Sequence, residues 1–327
     1  MKFFENKFED YITNVEKFNL HKEKELFFKQ KWEEGLDNLN HMIFYGSSGI
    51  GKYSQVLYFI KKWSKTNLKY ERKINYKYNN KYDFTFKTSD IHFEIDIDLL
   101  GCYAKLLFNE LYYHILDVCN TTQRKKTIIV CKNFHKIHTE LLDIFYSYMQ
   151  NLQHKNLKLV FILLSESVSF LPQNILNRCE IVEFSKPKLS LYNKIYKKSK
   201  HKNMVKFGDY KQLTNIKDIK AGILKTEVNI EKTIIRKLYE LIIDYKKIDF
   251  LEFRDFIYDL FIYNVYVESV IYSLINKLLI EKYLSNDGAE RIIYKTVDFL
   301  KYYNNNYRPI YHVELILFEI IKEIHCL

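Results

Sequence analysis

Only 3 prolines and 8 glycines interrupt the 327 residues, and no internal repeat is present. No apolar run approaches the roughly 20 residues that a membrane-crossing helix needs. Leu159–Leu164, among the longest, holds only a handful of residues. The five cysteines, Cys102, Cys119, Cys131, Cys179 and Cys326, form no C-x-x-C pair and no metal-ligand spacing. That excludes a disulfide framework and predicts reduced thiols in an intracellular protein. The opening MKFFENKFED lacks an apolar signal core, so secretion is not expected. What is present is ordinary globular material, 47% hydrophobic and 28% charged, with a formal charge of +11. Such an excess favours polyanionic partners, nucleic acid above all, when it is clustered, and merely solvates a surface when dispersed.

Patterning divides the chain into an α/β part and an all-helical part. After a polar, partly helical lead-in over residues 1–40, His41–Tyr45 forms a short apolar run that stops at Gly46. Val56, Leu57, Ile60 and Trp63 then recur at helical spacing. Residues 71–88 alternate as a hairpin about Asn79-Asn80. A strand is expected over His92–Ile97 and a long helix over 101–119. Further strands are expected at Thr127–Val130, Leu159–Leu164 and Glu180–Phe184, with a helix at Leu141–Leu152. Strands alternating with helices predict a parallel sheet covered on both faces. Beyond Pro187 the pattern is helical, broken at Gly208, Asn286–Gly288 and Asn304–Pro309. The tyrosines of Tyr258–Tyr272 sit at helical spacing and are expected to be packed core rather than base-stacking platforms.

The chemistry-bearing motif is Gly46-Ser47-Ser48-Gly49-Ile50-Gly51-Lys52-Tyr53, which fits G-x-x-x-x-G-K between a strand and a helix. Glycines let the backbone wrap a phosphate so that its N–H groups and the helix N-terminus face the anion. Lys52 would reach the terminal phosphates. The next position ordinarily carries Ser or Thr, whose hydroxyl binds magnesium; here it is Tyr53. ATP or ADP binding is therefore expected, and magnesium coordination is not.

Several dispersed segments resemble the small subunits of eukaryotic replication factor C, particularly the one with a degenerate ATPase site. Asn38-Leu-Asn-His-Met-Ile-Phe-Tyr-Gly46 is similar to that family's lead into its phosphate loop. The 71–88 hairpin followed by Ser89-Asp90-Ile91-His92-Phe93-Glu94-Ile95 resembles its insertion and strand, and Asn177-Arg178-Cys179 its Ser-Arg-Cys signature. Arg308-Pro-Ile-Tyr-His312-Val-Glu314-Leu-Ile-Leu-Phe318 resembles its closing helix. The resemblance implies an AAA+ domain over 1–186, a helical lid over 187–235 and a helical oligomerisation collar over 236–327. It implies a hetero-pentameric clamp loader that places a sliding clamp on primer–template DNA, in the nucleus or at a cytoplasmic replication site, with no membrane partner. Arg178 would be an arginine finger acting on a neighbour's ATP. Lys220, in a segment similar to sensor 2, would touch phosphate.

The family's hydrolytic carboxylates are missing. Lys132 and Asn133 stand in their places, His135 in that of the later acidic residue, and no Asp or Glu lies between Asp117 and Glu140. Sensor 1 aligns near Ser165 or Glu166. The family's paired arginines give way to Phe145-Tyr146-Ser147-Tyr148-Met149. His135 and His138 have no acidic or thiol companion at metal-ligand spacing, so no metal site is expected. The chain is read as a clamp-loader subunit that is not an independent ATPase. The alternatives are a nucleotide-free scaffold or basic DNA-binding subunit, and an active ATPase drawing a carboxylate from Glu94, Asp96 or Asp98.

Overall fold

The computed structural model describes residues 7–78, 82–150, 157–188, 190–191, 194, 230–244, 249–263, 265–303 and 308–325. The chain divides into two compact units, Met1–Lys225 and Thr226–Leu327.

The first unit is built on strands β1 (His41–Tyr45), β2 (Arg72–Tyr78), β3 (Tyr82–Thr88), β4 (His92–Asp96), β5 (Lys126–Lys132), β6 (Lys158–Ser165) and β7 (Cys179–Glu183). They form one sheet in the order β2-β3-β4-β5-β6-β1-β7. The five strands from β4 to β7 run parallel, and the β2–β3 hairpin extends the β4 edge antiparallel. Read in chain order, the parallel strands lie as fifth, first, fourth, third, second. This is the largely parallel α/β sheet expected from the alternation of strands and helices, with the glycine loop at the end of its first strand.

The central strands are apolar at nearly every position because helices cover both faces. Ile43, Ile129, Cys131, Phe161 and Leu163 pack on one side, with Phe108, Leu111 and Ile115 of α4 (Ala104–Thr121) and Leu141 and Phe145 of α5 (Thr139–Met149). Met42, Phe44, Ile128, Val130 and Ile162 pack on the other. There they meet Phe8 of α1 (Phe8–Lys17), Phe28 of α2 (Glu25–Glu34) and Val56, Leu57 and Phe59 of α3 (Lys52–Ile60). Phe28 and Phe59 lie 4.9 Å apart between ring centroids. A four-residue helix, α6 (Gln173–Leu176), leads into β7.

The elements described in the second unit are all helices: α7 (Ile230–Ile243), α8 (Phe250–Ile262), α9 (Val267–Ile280), α10 (Asn286–Tyr303) and α11 (Pro309–His325). Its core joins Leu238, Ile242, Phe253, Ile257, Leu274, Ile292 and Ile320. Arg254 of α8 donates two hydrogen bonds to the largely buried Glu314 of α11, at 2.5 and 3.0 Å. Pro309 opens α11, where its missing N–H would have no helical partner.

Two expectations change. The tyrosines of 258–272 are not core: Tyr258, Tyr263, Tyr266 and Tyr272 are exposed, Tyr272 by 73%. The aliphatic faces of α8 and α9, through Ile257, Leu260, Val270 and Leu274, take the interior instead. The helix expected over 101–119 begins as a tight 3-10 segment, Ile97–Tyr103, broken at Gly101 (φ 59°), before α4. Most of the expected lid, including Lys220, lies outside the described residues. Among the described residues, no helix is long and apolar enough to cross a membrane.

Candidate nucleotide site

The phosphate loop leaves β1 at Gly46 and enters α3 at Lys52. Gly49 and Gly51 take φ values of 70° and 98°, where side-chain-bearing residues are strained. At Gly46 a Cβ would collide with the Phe184 carbonyl oxygen and stand 2.8 Å from Ile50 Cδ1. Only glycine fits that approach. Lys52 Nζ donates to the carbonyls of Gly46 (2.5 Å) and Ser47 (2.7 Å). Burial lowers the Lys52 pKa, and the Glu166 carboxylate opposes that shift. These features fit a phosphate cradle whose lysine is bonded to the loop's own carbonyls.

A polar network supports the loop from behind. His21, 1% exposed, places Nε2 2.9 Å from the Ile50 carbonyl, so Nε2–H donates. The His21 amide donates to Asn19 Oδ1, which also accepts from Gln55 Nε2 of α3 (2.9 and 2.8 Å). No motif announces this support: its members are spread over 36 positions and are defined only by contact.

The strand end beside the loop, where the resemblance noted in the sequence would put hydrolytic carboxylates, carries Lys132 and Asn133. Asn133 adopts a left-handed backbone (φ 51°, ψ 39°), which Asn tolerates better than most residues. From there its Nδ2 donates to Asp96 Oδ1 at 2.8 Å. Lys132 Nζ lies 3.7 Å from Asp96 Oδ2 and 5.3 Å from the centroid of the Tyr53 ring. Strands β4 and β5 set Asp96 opposite Lys132 in register, so the carboxylate that sequence reading offered as a substitute is held by the residues it would replace. Asp98 is bonded to Lys136 Nζ at 2.9 Å.

Glu94 is 3% exposed, and neither of its oxygens has a well-formed hydrogen bond, although the Tyr53 phenol is turned toward it. Burial pushes the Glu94 pKa up, against the pull of Lys132. Ser165, which with Glu166 was one of the two residues expected near sensor 1, closes β6, its hydroxyl donating to the Ser167 carbonyl. Glu166 carries its charge toward Lys52 and lies 3.9 Å from His135 Nε2. The sequence alone had not singled out Glu166 as the acidic group facing the P-loop lysine. No group of three His, Cys, Asp or Glu among the described residues is arranged to hold a metal ion. The hydroxyl and carboxylate donors of a magnesium site are replaced by a phenol turned inward, an ammonium and an amide. The residues present do not fit that metal.

Arg178 is placed elsewhere. It precedes β7 at the end of the sheet opposite the loop, beside the start of β1, where His41 pairs with Cys179. Five residues of β1 separate the two ends, on the order of 15 Å. The arginine is exposed, interacts with the Tyr146 hydroxyl and lines a cleft of about 620 Å³ with Lys31, His41, Lys158 and Glu180. In the cleft wall His41 is held neutral. Its Nε2–H donates to the Met149 carbonyl (3.1 Å), Nδ1 accepts from the Phe161 amide (3.0 Å), and burial lowers its pKa to about 4.

No family model matches the chain, and no curated protein matches it. Solved structures similar to it include the RuvB Holliday junction branch migration motor of Thermotoga maritima. That likeness is 12% identical, spans 66% of this chain and 76% of RuvB, and has a TM-score of 0.38. A DNA polymerase III gamma subunit-related protein of the same organism is 12% identical over 91% of this chain and 99% of its own, with a TM-score of 0.40. A point mutant of the same RuvB is 14% identical over 83% of this chain and 85% of its own, with a TM-score of 0.39. The assignment of the fold rests on strand order and on the position of the loop.

Proposed function

We propose that this chain is a non-hydrolysing subunit of a DNA sliding-clamp loader, similar in role to the degenerate small subunit of replication factor C. In this reading it binds ATP or ADP at Gly46–Lys52 and supplies Arg178 to the ATP of an adjoining subunit. The observation that carries the proposal is the division of the site between two ends of one sheet. A phosphate cradle with Lys132 and Asn133 in place of carboxylates lies at one end, and an exposed arginine at the other. At that distance Arg178 cannot reach a phosphate held in its own loop, so a phosphate it contacts would come with another molecule. The exposed apolar residues of the helical unit, Ile262, Tyr272, Ile280 and Tyr294 among them, suit a surface that packs against neighbours in a hetero-pentamer.

The test is reconstitution with sibling subunits, sliding clamp and primer–template DNA, followed by ATP turnover with wild type and Arg178→Ala. The expected loss at the neighbouring site is on the order of a thousandfold, the usual worth of an arginine finger. Full turnover by the Arg178→Ala complex would refute the finger. Turnover by the purified chain alone, abolished by Lys52→Ala or Glu166→Gln, would establish an active ATPase instead. Beside Glu94, Asp96 and Asp98, Glu166 is a further carboxylate on which that reading could draw, because its charge acts on Lys52.

A further inference from the structure

The misfit to magnesium has a consequence for what binds at the loop. Sheet order places β6 between β1 and β5, so the end of β5 lies two strand spacings, roughly 10 Å, from the end of β1. Lys132, at that end, extends over the ring of Tyr53, the residue directly after the P-loop lysine. Its Nζ stands 5.3 Å from the ring centroid, and its side chain remains 30% exposed. Tyr53 thus occupies the position of the metal-binding hydroxyl, and it presents an aromatic face on which an ammonium rests, a favourable arrangement for a cation. Asp96 Oδ2 at 3.7 Å is a loose counter-ion and leaves Nζ with hydrogen-bonding capacity for another anion. Lys52, the residue before Tyr53, points its Nζ at the loop carbonyls of Gly46 and Ser47.

We propose that a nucleoside di- or triphosphate binds this loop without a divalent cation, and that the ammonium of Lys132 supplies the positive charge a metal would otherwise bring. The proposal rests on the reading of Gly46–Lys52 as a nucleotide site. The Asp–Glu pair of a hydrolysing site draws a cation beside the phosphates. Replacing that pair by Lys132 and Asn133 removes the two carboxylates that would hold the ion and sets an ammonium, paired only loosely with Asp96, where it can meet the polyphosphate directly. The same replacement removes the means of orienting an attacking water, so the bound nucleotide persists as a structural ligand and stabilises the fold by mass action.

The experiment is a fluorescence titration of the full chain with N-methylanthraniloyl-ADP, in excess magnesium and in excess EDTA. Affinity is expected to differ by less than about twofold between the two buffers. Lys132→Ala is expected to weaken binding in EDTA by about tenfold or more, the worth of one charge-assisted hydrogen bond, while Lys132→Arg retains it. Melting temperatures without nucleotide check that the variants fold, and the two-buffer comparison on wild type stands even if Lys132→Ala does not. A tenfold or larger loss of affinity on chelation would overturn the proposal. So would Lys132→Ala binding as tightly as wild type. Absence of binding in both buffers would overturn the nucleotide-site reading itself, and this inference with it.

Discussion

A carboxylate that is 3% exposed and lacks a well-formed hydrogen bond, as Glu94 is, is stable only when neutral or compensated. Burial raises its pKa, while Lys132 and the Tyr53 phenol pull it back. The sign of the resulting pH dependence follows by linkage. A carboxyl whose folded pKa lies above its unfolded value holds its proton more tightly in the native state. Its contribution is therefore full below the ordinary carboxylate range and is lost as pH rises through the raised folded value. Glu94→Gln keeps the shape and removes the charge. It should flatten this part of the stability–pH curve and raise stability at neutral pH by about 1–3 kcal/mol. Thermal melting of both proteins across the acid and neutral range checks this, and a Gln variant that is less stable at pH 7 would contradict it. Tyr53 and Lys132 depend on the same group, so a neutral residue at 94 also reports how firmly the Lys132 ammonium is held in place.

At the scale of elements, the β1–loop–α3 connection is the most constrained piece of the first unit. Gly46→Ala would place a methyl against a backbone carbonyl, which cannot rotate away as a side-chain end could. The expected cost is about 3 kcal/mol, the upper end for overpacking, and nucleotide binding should fall with it. Chemical denaturation measures the first, and a native-like midpoint would disprove the clash. Much of this element layout is legible in the sequence. Buried strands such as β6 read as continuous apolar runs, and the β2–β3 hairpin reads as alternation about two asparagines. Boundaries are less legible, and for a local reason. α3 begins at Lys52 rather than Ser54 because the loop geometry starts the helix before its apolar face does. β5 runs on to Lys132, past its apolar stretch, because its ladder with β4 reaches Asp96. A hydrogen-bonded partner on another strand leaves no local signal.

For the whole molecule, acid is the expected weakness. Burial lowers the pKa of His41 to about 4 and that of His92 to about 3. An imidazole whose folded pKa is depressed contributes stability that is complete above its unfolded value near 6.5 and is lost as pH falls through the folded one. For His41 alone the loss by pH 4 is about 3 kcal/mol. The two imidazoles act against Glu94, whose proton stabilises the fold in the same range. Melting temperature is expected to fall between pH 6.5 and pH 4, and less steeply in His41→Gln. A flat profile would mean that neither imidazole is held neutral.

The amino-acid order by itself determined a G-x-x-x-x-G-K run between a strand and a helix, a strand end that carries Lys132 and Asn133, and the division into a sheet region and a helical region. Each of these is written in neighbouring residues: a run of eight that shapes a turn, a strand end lacking Asp and Glu, a change of hydrophobic period. Tertiary structure decided which distant groups meet. It set Asp96 against Asn133 across 37 positions, turned Glu166 toward Lys52, put Arg178 at the far end of the sheet and turned Tyr258 and Tyr272 outward. Strand order and register follow from how the apolar faces of all the elements pack at once. The encounters they create carry no local pattern, because the residues involved make no contact until the sheet is assembled.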